Sequence, residues 1–346
     1  MEIITNSLSI NHRSISTLGL ATSFKGLYHQ YYFNGSLIRF QDKWLFAYRT
    51  DQKPLCKFPT VYLTELDESF RSTGNNRHFN FASNNWGWRT DYLFKASNSL
   101  PFRAEDPRLF TVDNKLYMMY CDGFKMYYGE VVEGNPAWFI PKPPFVPQIV
   151  RNKDYDGREK NWTPFDHNGE LYIVYCYAPF VTCRLKEGKV DRTQIVSGFK
   201  WKYGFIKGGT PAIPLDDERY ITIFHSTLRD SNGIANYYAG AVTFSRKTLK
   251  PLQISRFPLI APYPNKADDN SPTTARVIFP AGLVYHKERF IVSYGYNDHA
   301  TNICSFSRDE IEYNLGYFVK QKRKRRQNII ASIIRASNKK ILDTDC

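Results

Sequence analysis

Five segments of the chain repeat one pattern of polar and hydrophobic positions. Each segment has an entry marked by polar residues, proline or glycine, continues as a short strand-like stretch and turns sharply. Each then ends in a second stretch rich in aromatic and aliphatic residues. Turn residues between such stretches are typical of β-hairpins. The segments cover residues 33–51, 105–123, 160–178, 208–227 and 279–298.

The spacing of these hairpins predicts the fold class. Equivalent positions in the second stretches are 72, 55, 49 and 70 residues apart, at Trp44, Leu116, Leu171, Tyr220 and Phe290. Steps of this size fit one four-stranded blade plus loops of variable length. We therefore predict an all-β fold, a five-bladed β-propeller, as a single domain over residues 1–319. The irregular spacing argues against a uniform repeat such as a WD array.

The segment RAEDPRLF at 103–110 holds the strongest candidate chemistry. Glu105 and Asp106 lie between Arg103 and Arg108. Because strand residues alternate between two faces, Asp106 and Arg108 are expected to share the polar face. A cation beside a carboxyl group can hold and tune a general acid. A structural or surface ion pair explains the same residues equally well.

Polar residues beside the five repeated strands are expected to converge, because the innermost strand of each propeller blade borders a central funnel. An acid with a raised pKa could protonate a leaving oxygen there, while arginine and lysine could hold a phosphate. Each residue also has an ordinary alternative as a structural histidine, a turn former or a solvated lysine. The candidates are Asn34, Arg49, Asp51, Glu105, Asp106, Arg108, Lys160, Asn161, His225, Tyr296, Asp298 and His299.

Composition narrows the class of protein. The chain has 346 residues, of which 42% are hydrophobic and 23% charged, so a globular protein is expected. Aromatic residues make up 16%, which favours strands and suits stacking on carbohydrate. The six cysteines lack metal-binding spacing and are interpreted as reduced thiols. The N-terminus does not resemble a signal peptide, and no apolar run is long enough to span a membrane. A cytoplasmic protein is expected.

About half of the formal net charge of +14 falls after residue 319. There, the basic run KQKRKRRQ at 320–327 precedes isoleucines at helical spacing, which predicts a short basic amphipathic helix within 320–346. Such a helix can bind an anionic membrane surface as a peripheral anchor. A solvated or disordered basic end is the alternative. Nucleic-acid binding is not expected, because no aromatic residues are interleaved with the cations.

The ordered motifs resemble those of glycoside hydrolase family 130 and the related mannosyltransferases and phosphorylases, within the five-bladed propeller glycosidases. The similar pieces cover roughly residues 30 to 300. They are FNGS with AYRTD, EDPRL, EKNWTPF, GGTP with FHS, and FPAGLVY with SYGYND.

The resemblance implies an inverting reaction at a β-mannoside, with Asp106 as the proton donor. It suggests sugar contacts at Arg49, Asp51 and Asp298, and a phosphate or donor pocket near Lys160, Asn161 and His225, with Arg158 close by. It implies no metal or organic cofactor.

Phosphorylase, hydrolase and glycosyltransferase remain open as activities. The oligosaccharide or glycan acceptor would be paired with a sugar phosphate or a nucleotide sugar, and the basic tail favours a transferase that works near a membrane. The rival from another class is a non-catalytic propeller that binds carbohydrate.

The basic tail gives a first prediction. We expect the full-length chain to sediment with liposomes that contain anionic lipid, and a variant truncated after residue 319 to stay in the supernatant, because the tail carries the cations. Neutral liposomes are the control. Equal sedimentation of both proteins with anionic liposomes would contradict the prediction.

Overall fold

The computed structural model describes residues 31–51, 60–73, 77–78, 104–123, 125–133, 159–262, 275–298 and 300–317. This part of the chain is nearly all β, with one short helix, α1 (Arg308–Asn314). The strands are β1 (Tyr31–Phe40), β2 (Lys43–Asp51), β3 (Thr60–Leu66), β4 (Arg77–His78), β5 (Glu105–Val112), β6 (Lys115–Cys121), β7 (Met126–Glu130), β8 (Thr163–His167), β9 (Glu170–Tyr177), β10 (Phe180–Lys186), β11 (Lys189–Val196), β12 (Phe205–Lys207), β13 (Ile213–Pro214), β14 (Arg219–Arg229), β15 (Ala235–Ser245), β16 (Pro251–Ser255), β17 (Ile278–His286), β18 (Arg289–Tyr296), β19 (Ala300–Ser307) and β20 (Leu315–Tyr317).

The strands form five antiparallel sheets in chain order. The first sheet holds β1 to β4, the second β5 to β7, and the third β8 to β11. The fourth sheet has six strands, β12 to β16 with β20 added at its edge, and the fifth holds β17 to β19. Each sheet thus corresponds to one of the five repeated segments of the sequence.

The five predicted hairpins are confirmed. The strand pairs β1–β2, β5–β6, β8–β9, β13–β14 and β17–β18 are each antiparallel and adjacent in the chain. Four of the turns place both central residues at positive φ, as in Asn168 and Gly169. Such turns match the right-handed twist of the paired strands, which explains why asparagine, aspartate and glycine are frequent there.

The sheets contact one another in cyclic order. The strand β5 contacts β1 and β8, β9 contacts β12, β14 contacts β17, and β17 contacts β1. Each of these five interfaces has its own hydrophobic cluster, for example Leu45 with Met118 between the first two sheets and Phe46 with Ile291 between the last and the first. Apolar area removed from water between neighbouring sheets therefore stabilises the arrangement.

Hydroxyl groups also link neighbouring sheets through backbone groups that strand pairing leaves open. The Ser36 hydroxyl accepts a hydrogen bond from the Leu109 amide at 2.9 Å. The Ser293 hydroxyl donates to the Gly35 carbonyl at 2.7 Å and accepts from the Leu37 amide at 3.0 Å. Because buried backbone groups need partners, these small polar side chains fix how the sheets meet.

The helix α1 was not predicted, although the sequence contains a capping signal at its start. Ser307 caps α1 and receives the Glu310 amide, while the Glu310 carboxylate accepts from the Ser307 amide. This reciprocal pair is a capping box. The predicted basic helix at 320–346 lies outside the described residues. The described part of the chain includes no helix long and apolar enough to cross a membrane.

Gly282 tests the contact between the fifth and first sheets. A Cβ added at Gly282 would lie 2.2 Å from the Leu37 backbone nitrogen. We expect Gly282→Ala to lower the free energy of unfolding by roughly 1–3 kcal/mol, because the clash is with main chain. Urea unfolding measures the change. Gly316→Ala is the control, since its Cβ would meet only the flexible Arg256 side chain at 3.2 Å; equal losses in both variants would contradict the packing described.

Candidate active site

The backbone around Asp106 does not continue the regular strand that the sequence predicts. The β5–β6 register shifts between Glu105 and Arg108, and Asp106 has a φ of 53°. A bulge of this kind re-aims side chains. The regular strand alternation assumed for this segment is therefore wrong, although the Arg108 charge still acts on the Asp106 carboxylate. The Arg108 Nη1 donates to the Asp106 backbone carbonyl at 2.9 Å.

The Asp106 carboxylate is held by residues of the first sheet. The Asn34 Nδ2 donates to Asp106 Oδ1 at 2.8 Å, and the Arg49 Nη1 lies 3.4 Å from the same oxygen. Asn34 also has positive φ and lies at a register shift of β1, so it mirrors Asp106 across the interface. Asparagine and aspartate tolerate this left-handed conformation better than other non-glycine residues.

Two opposing effects act on the protonation of Asp106. Burial favours the neutral acid, but the charges of Arg49 and Arg108, the Asn34 hydrogen bond and the charge of Lys160 outweigh it. Together they hold the pKa of Asp106 below its usual value. The sequence-based expectation of an acid with a raised pKa is therefore wrong for the protein without substrate.

Glu105 is the second carboxylate of the site and is almost completely buried. Its Oε2 lies 3.5 Å from the Arg49 Nη1 and 3.2 Å from the Lys160 Nζ. Arg49 thus bridges the two carboxylates, and Lys160 reaches them from the start of the third segment. Since Lys160 remains about a third exposed, it is the cation of this group most open to a ligand.

Arg108 joins three segments beneath the carboxylates, and its side chain is completely buried. Its Nε donates to the Gly209 carbonyl at 2.6 Å, and its Nη2 lies 3.4 Å from Asn161 Oδ1. The guanidinium therefore positions the backbone of Asp106 and the GGTP loop relative to each other. Its planar fork suits several acceptors at once, which a lysine could not satisfy.

His225 and Lys207 form the fourth side of the site. They are cross-strand partners on β14 and β12. His225 is buried, and burial together with Lys207 and Arg108 lowers its pKa to about 3, so its imidazole is neutral near pH 7. Its Nδ1 has no hydrogen-bond partner among the described residues. Burial and the charge of Lys160 lower the pKa of Lys207.

Lys207 was not predicted from the sequence. Its position in the sequence, directly before the glycine pair of GGTP, could have indicated it. Lys207 lies on the strand that pairs with the His225 strand. Gly208 packs against the neighbouring segment, since a Cβ there would lie 1.9 Å from the Asn161 carbonyl oxygen. That close contact brings Lys207 toward Lys160.

For the other predicted site residues, the structure gives the backbone position of some and does not describe the rest. Tyr296 ends β18 and Asp298 lies in the following turn at positive φ. Their segment borders the site through Gly295, where a Cβ would lie 1.9 Å from Asn34 Oδ1. Asp51 ends β2, but its side chain is outside the description, and Arg103, Arg158 and His299 lie outside the described residues.

A cavity of about 610 Å³ lies further along the same strands, on the other side from Asp106. Its lining includes residues from all five sheets, among them Arg39, Leu109, Phe165, Ile213 and Tyr285. Within the described ranges, no three side chains of His, Cys, Asp or Glu come together in a way that could hold a metal ion.

Comparison with known proteins gives one family. The model of glycoside hydrolase family 130, described as beta-1,4-mannooligosaccharide phosphorylase, matches residues 46–315. No curated protein matches the chain.

Solved structures share the fold at low sequence identity. A glycosyl hydrolase from Bacteroides ovatus has a TM-score of 0.59 at 14% identity, covering 80% of this chain and 84% of its own. A β-1,2-mannobiose phosphorylase from Listeria innocua, in complex with β-1,2-mannobiose, has 0.58 at 13%, covering 84% and 93%. A mannose phosphorylase from Leishmania mexicana, in complex with a phosphate ion, has 0.52 at 12%, covering 90% and 93%.

The neutral His225 predicts how stability depends on pH. Between pH 6.5 and about 3 the unfolded chain binds a proton at this histidine and the folded chain does not. Stability therefore falls as the pH drops through this window, by at most about 1.4 kcal/mol per pH unit. We expect His225→Gln to reduce that slope in urea unfolding between pH 6.5 and 5. Asp106 affects the pH dependence of stability only at lower pH, because its pKa in the folded protein lies below its usual acidic value. Equal slopes in both proteins would contradict the assignment.

Proposed function

The chain belongs to glycoside hydrolase family 130, and from that premise we propose that it is an inverting phosphorylase of β-mannosidic linkages, with Asp106 as the general acid. The proposed substrates are a β-linked manno-oligosaccharide and inorganic phosphate, and the product is a mannose 1-phosphate. The observation that carries the proposal is the pair of buried carboxylates Glu105 and Asp106 beside Lys160, whose side chain is 34% exposed.

The proposed reaction uses two sides of the site. Asp106 gives its proton to the glycosidic oxygen as the bond from that oxygen to the anomeric carbon breaks. A phosphate oxygen forms the new bond to the same carbon from the opposite face, which inverts its configuration. In the synthetic direction, the Asp106 carboxylate accepts the proton of the attacking sugar hydroxyl, by microscopic reversibility.

The basic groups support phosphate as the nucleophile. Lys160, Lys207 and Arg49 supply positive charge, and arginine and lysine are the usual partners of phosphate in proteins. The neutral His225, with its unpaired Nδ1, offers a further polar contact. We assign Asn161 and Arg158 to the same pocket from the family resemblance.

Sugar binding is assigned to the first and fifth sheets, and Arg49, which contacts both Glu105 and Asp106, borders the sugar and the phosphate. Asn34 and Arg49 hold the carboxylate from the first sheet, and β18 leads into Tyr296 and Asp298 beside Asn34. We propose that these residues, with Asp51, contact the sugar hydroxyls. Glu105 lies beside Asp106 on the same strand and is tied to two cations, so its proposed role is to orient Arg49 and Lys160.

An inverting hydrolase generally needs a second carboxylate as base, about 6.5–9.5 Å from the acid, to activate water. Glu105 is the neighbouring carboxylate of the site, but it is almost completely buried and its Oε2 faces Arg49 and Lys160, which leaves little room for a water molecule beside it. This contact favours phosphorolysis. The glycosyl hydrolase from Bacteroides ovatus, which has a similar fold, makes hydrolysis the second candidate.

We further propose that the five sheets are the blades of one propeller within residues 1–319. The cyclic contacts, with a hydrophobic cluster at each interface, support this arrangement. In such a propeller the first strand of each sheet lies innermost, which fits the convergence of Asn34, Asp106 and Asn161.

The test is an assay of the purified full-length protein with β-1,2- and β-1,4-linked manno-oligosaccharides, with and without inorganic phosphate. We expect cleavage that depends on phosphate and releases mannose 1-phosphate. Asp106→Asn is expected to lower kcat by roughly 10²- to 10⁴-fold, the usual size of a general-acid contribution. Glu133→Gln, at a surface ion pair with Lys43, is the control and should keep wild-type activity.

Each other outcome has a definite meaning. Cleavage that is independent of phosphate would make the protein a hydrolase, and transfer from GDP-mannose alone would make it a glycosyltransferase. Glycan binding without any turnover would leave a carbohydrate-binding propeller. Retained activity in Asp106→Asn would remove the proposed acid from the mechanism.

A further inference from the structure

The Asp106 carboxylate, which is the proposed acid, is surrounded by groups whose combined effect keeps it ionised. Around it stand two cations from the first two sheets, one from the third segment, one carboxylate, one amide, one thiol and one neutral histidine. These groups are Asn34 on β1, Arg49 on β2, Glu105 and Arg108 on β5, Cys121 on β6, Lys160 before β8, and His225 on β14 with Lys207 behind it.

The balance at Asp106 is set by position. Its carboxyl group is buried, which by itself would favour the protonated form. The Arg49 Nη1 at 3.4 Å and the Asn34 Nδ2 at 2.8 Å favour the ionised form, as do the charges of Arg108 and Lys160. Without a ligand the proton needed for catalysis is therefore absent near pH 7.

The cations differ in how far a ligand can reach them. The Arg108 side chain is completely buried and faces backbone carbonyls, so it stays part of the protein frame. Lys160 is 34% exposed and Arg49 17% exposed. Lys207 is partly buried next to Lys160. An incoming dianion would therefore meet the cations that now face Glu105 and Asp106.

We propose that binding of a phosphate dianion at Lys160, Lys207 and Arg49 is coupled to uptake of one proton by Asp106. The dianion compensates the positive charge that holds the carboxylate ionised and adds a repulsive negative charge close by. Burial then dominates, and the proton enters from solvent onto the Asp106 carboxylate. This coupling rests on the proposed function.

The coupling links the acid to the presence of the nucleophile. With phosphate bound, the proton moves from Asp106 to the leaving glycosidic oxygen while the phosphate oxygen bonds to the anomeric carbon, and Asp106 returns to the carboxylate. Without phosphate, Asp106 carries no proton to give. A bound glycan is then protected from attack by water, since the leaving oxygen is not protonated.

Sulfate is the probe, because it is a dianion that does not itself titrate between pH 5 and 8. Calorimetry would measure its Kd for the full-length protein across that range. We expect the wild-type Kd to fall with falling pH, by up to about tenfold per pH unit where Asp106 takes up its proton. Inorganic phosphate should compete with sulfate for the site.

Asp106→Asn is the matched variant, because its side chain is neutral like the protonated acid and asparagine suits the positive φ of this position. It should bind sulfate at pH 7 at least as tightly as the wild type does at pH 5, with little dependence on pH. Near-wild-type thermal unfolding checks that it is folded. His225→Gln tests whether the proton is taken up by the histidine instead of Asp106. This variant should keep the wild-type pH dependence of the sulfate Kd.

Two failures are distinguishable. If sulfate and phosphate bind both wild type and Asp106→Asn with the same pH dependence, the coupling is overturned while phosphorolysis stands. If neither anion binds either protein at any pH in the range, the coupling and the proposed phosphorolysis both fall.

Discussion

The buried guanidinium of Arg108 is the interaction on which the site depends. It takes a permanent charge into the protein, and burial lowers its pKa while the negative charge of Asp106 raises it. Its hydrogen bonds reach the backbone of Asp106 and Gly209, in segments that are about a hundred residues apart. Removing it would leave buried carbonyl groups without partners, which costs far more than an ordinary surface ion pair contributes.

Close backbone contacts around Arg108 make its position possible. Gly208 and Gly209 lie so near to neighbouring carbonyl oxygens, of Asn161 and Ile223, that a Cβ on either would clash with main chain. Glycine is needed here for close approach rather than for an unusual φ. The same contacts bring Lys207 to the site. The two glycines therefore help to position both the buried Arg108 and the positive charge of Lys207.

Much of the architecture could be predicted from local signals. Turn residues flanked by aromatic strands identified the five hairpins, since these signals act within a few residues of one another. The equivalence of the segments also suggested which polar residues lie together, as Arg49, Asp106 and Lys160 do. These contacts join different sheets, yet repetition of one pattern was enough to indicate them.

The errors have equally physical reasons. Strand alternation was assumed through Pro107, although proline inside a strand signals a bulge, and the bulge turned Arg108 toward backbone carbonyls. The expectation that an acid of the site has a raised pKa does not fit Asp106, because cations from β2 and the third segment come close to it only in the tertiary fold. Lys207 was missed because one lysine beside glycines has no distinctive spacing. The Ser307–Glu310 capping box was visible in the sequence and was overlooked.

Asn34, Asp106 and Asn161 share one more property, a left-handed backbone at the same place in three successive segments. Only a few residue types fit such a position without strain, and asparagine and aspartate are the foremost after glycine. An exchange between these two changes charge without changing shape. Each of the three positions around the site can therefore hold either asparagine or aspartate. A related enzyme could carry its acid at a different one of these positions after asparagine–aspartate exchanges, with the backbone unchanged.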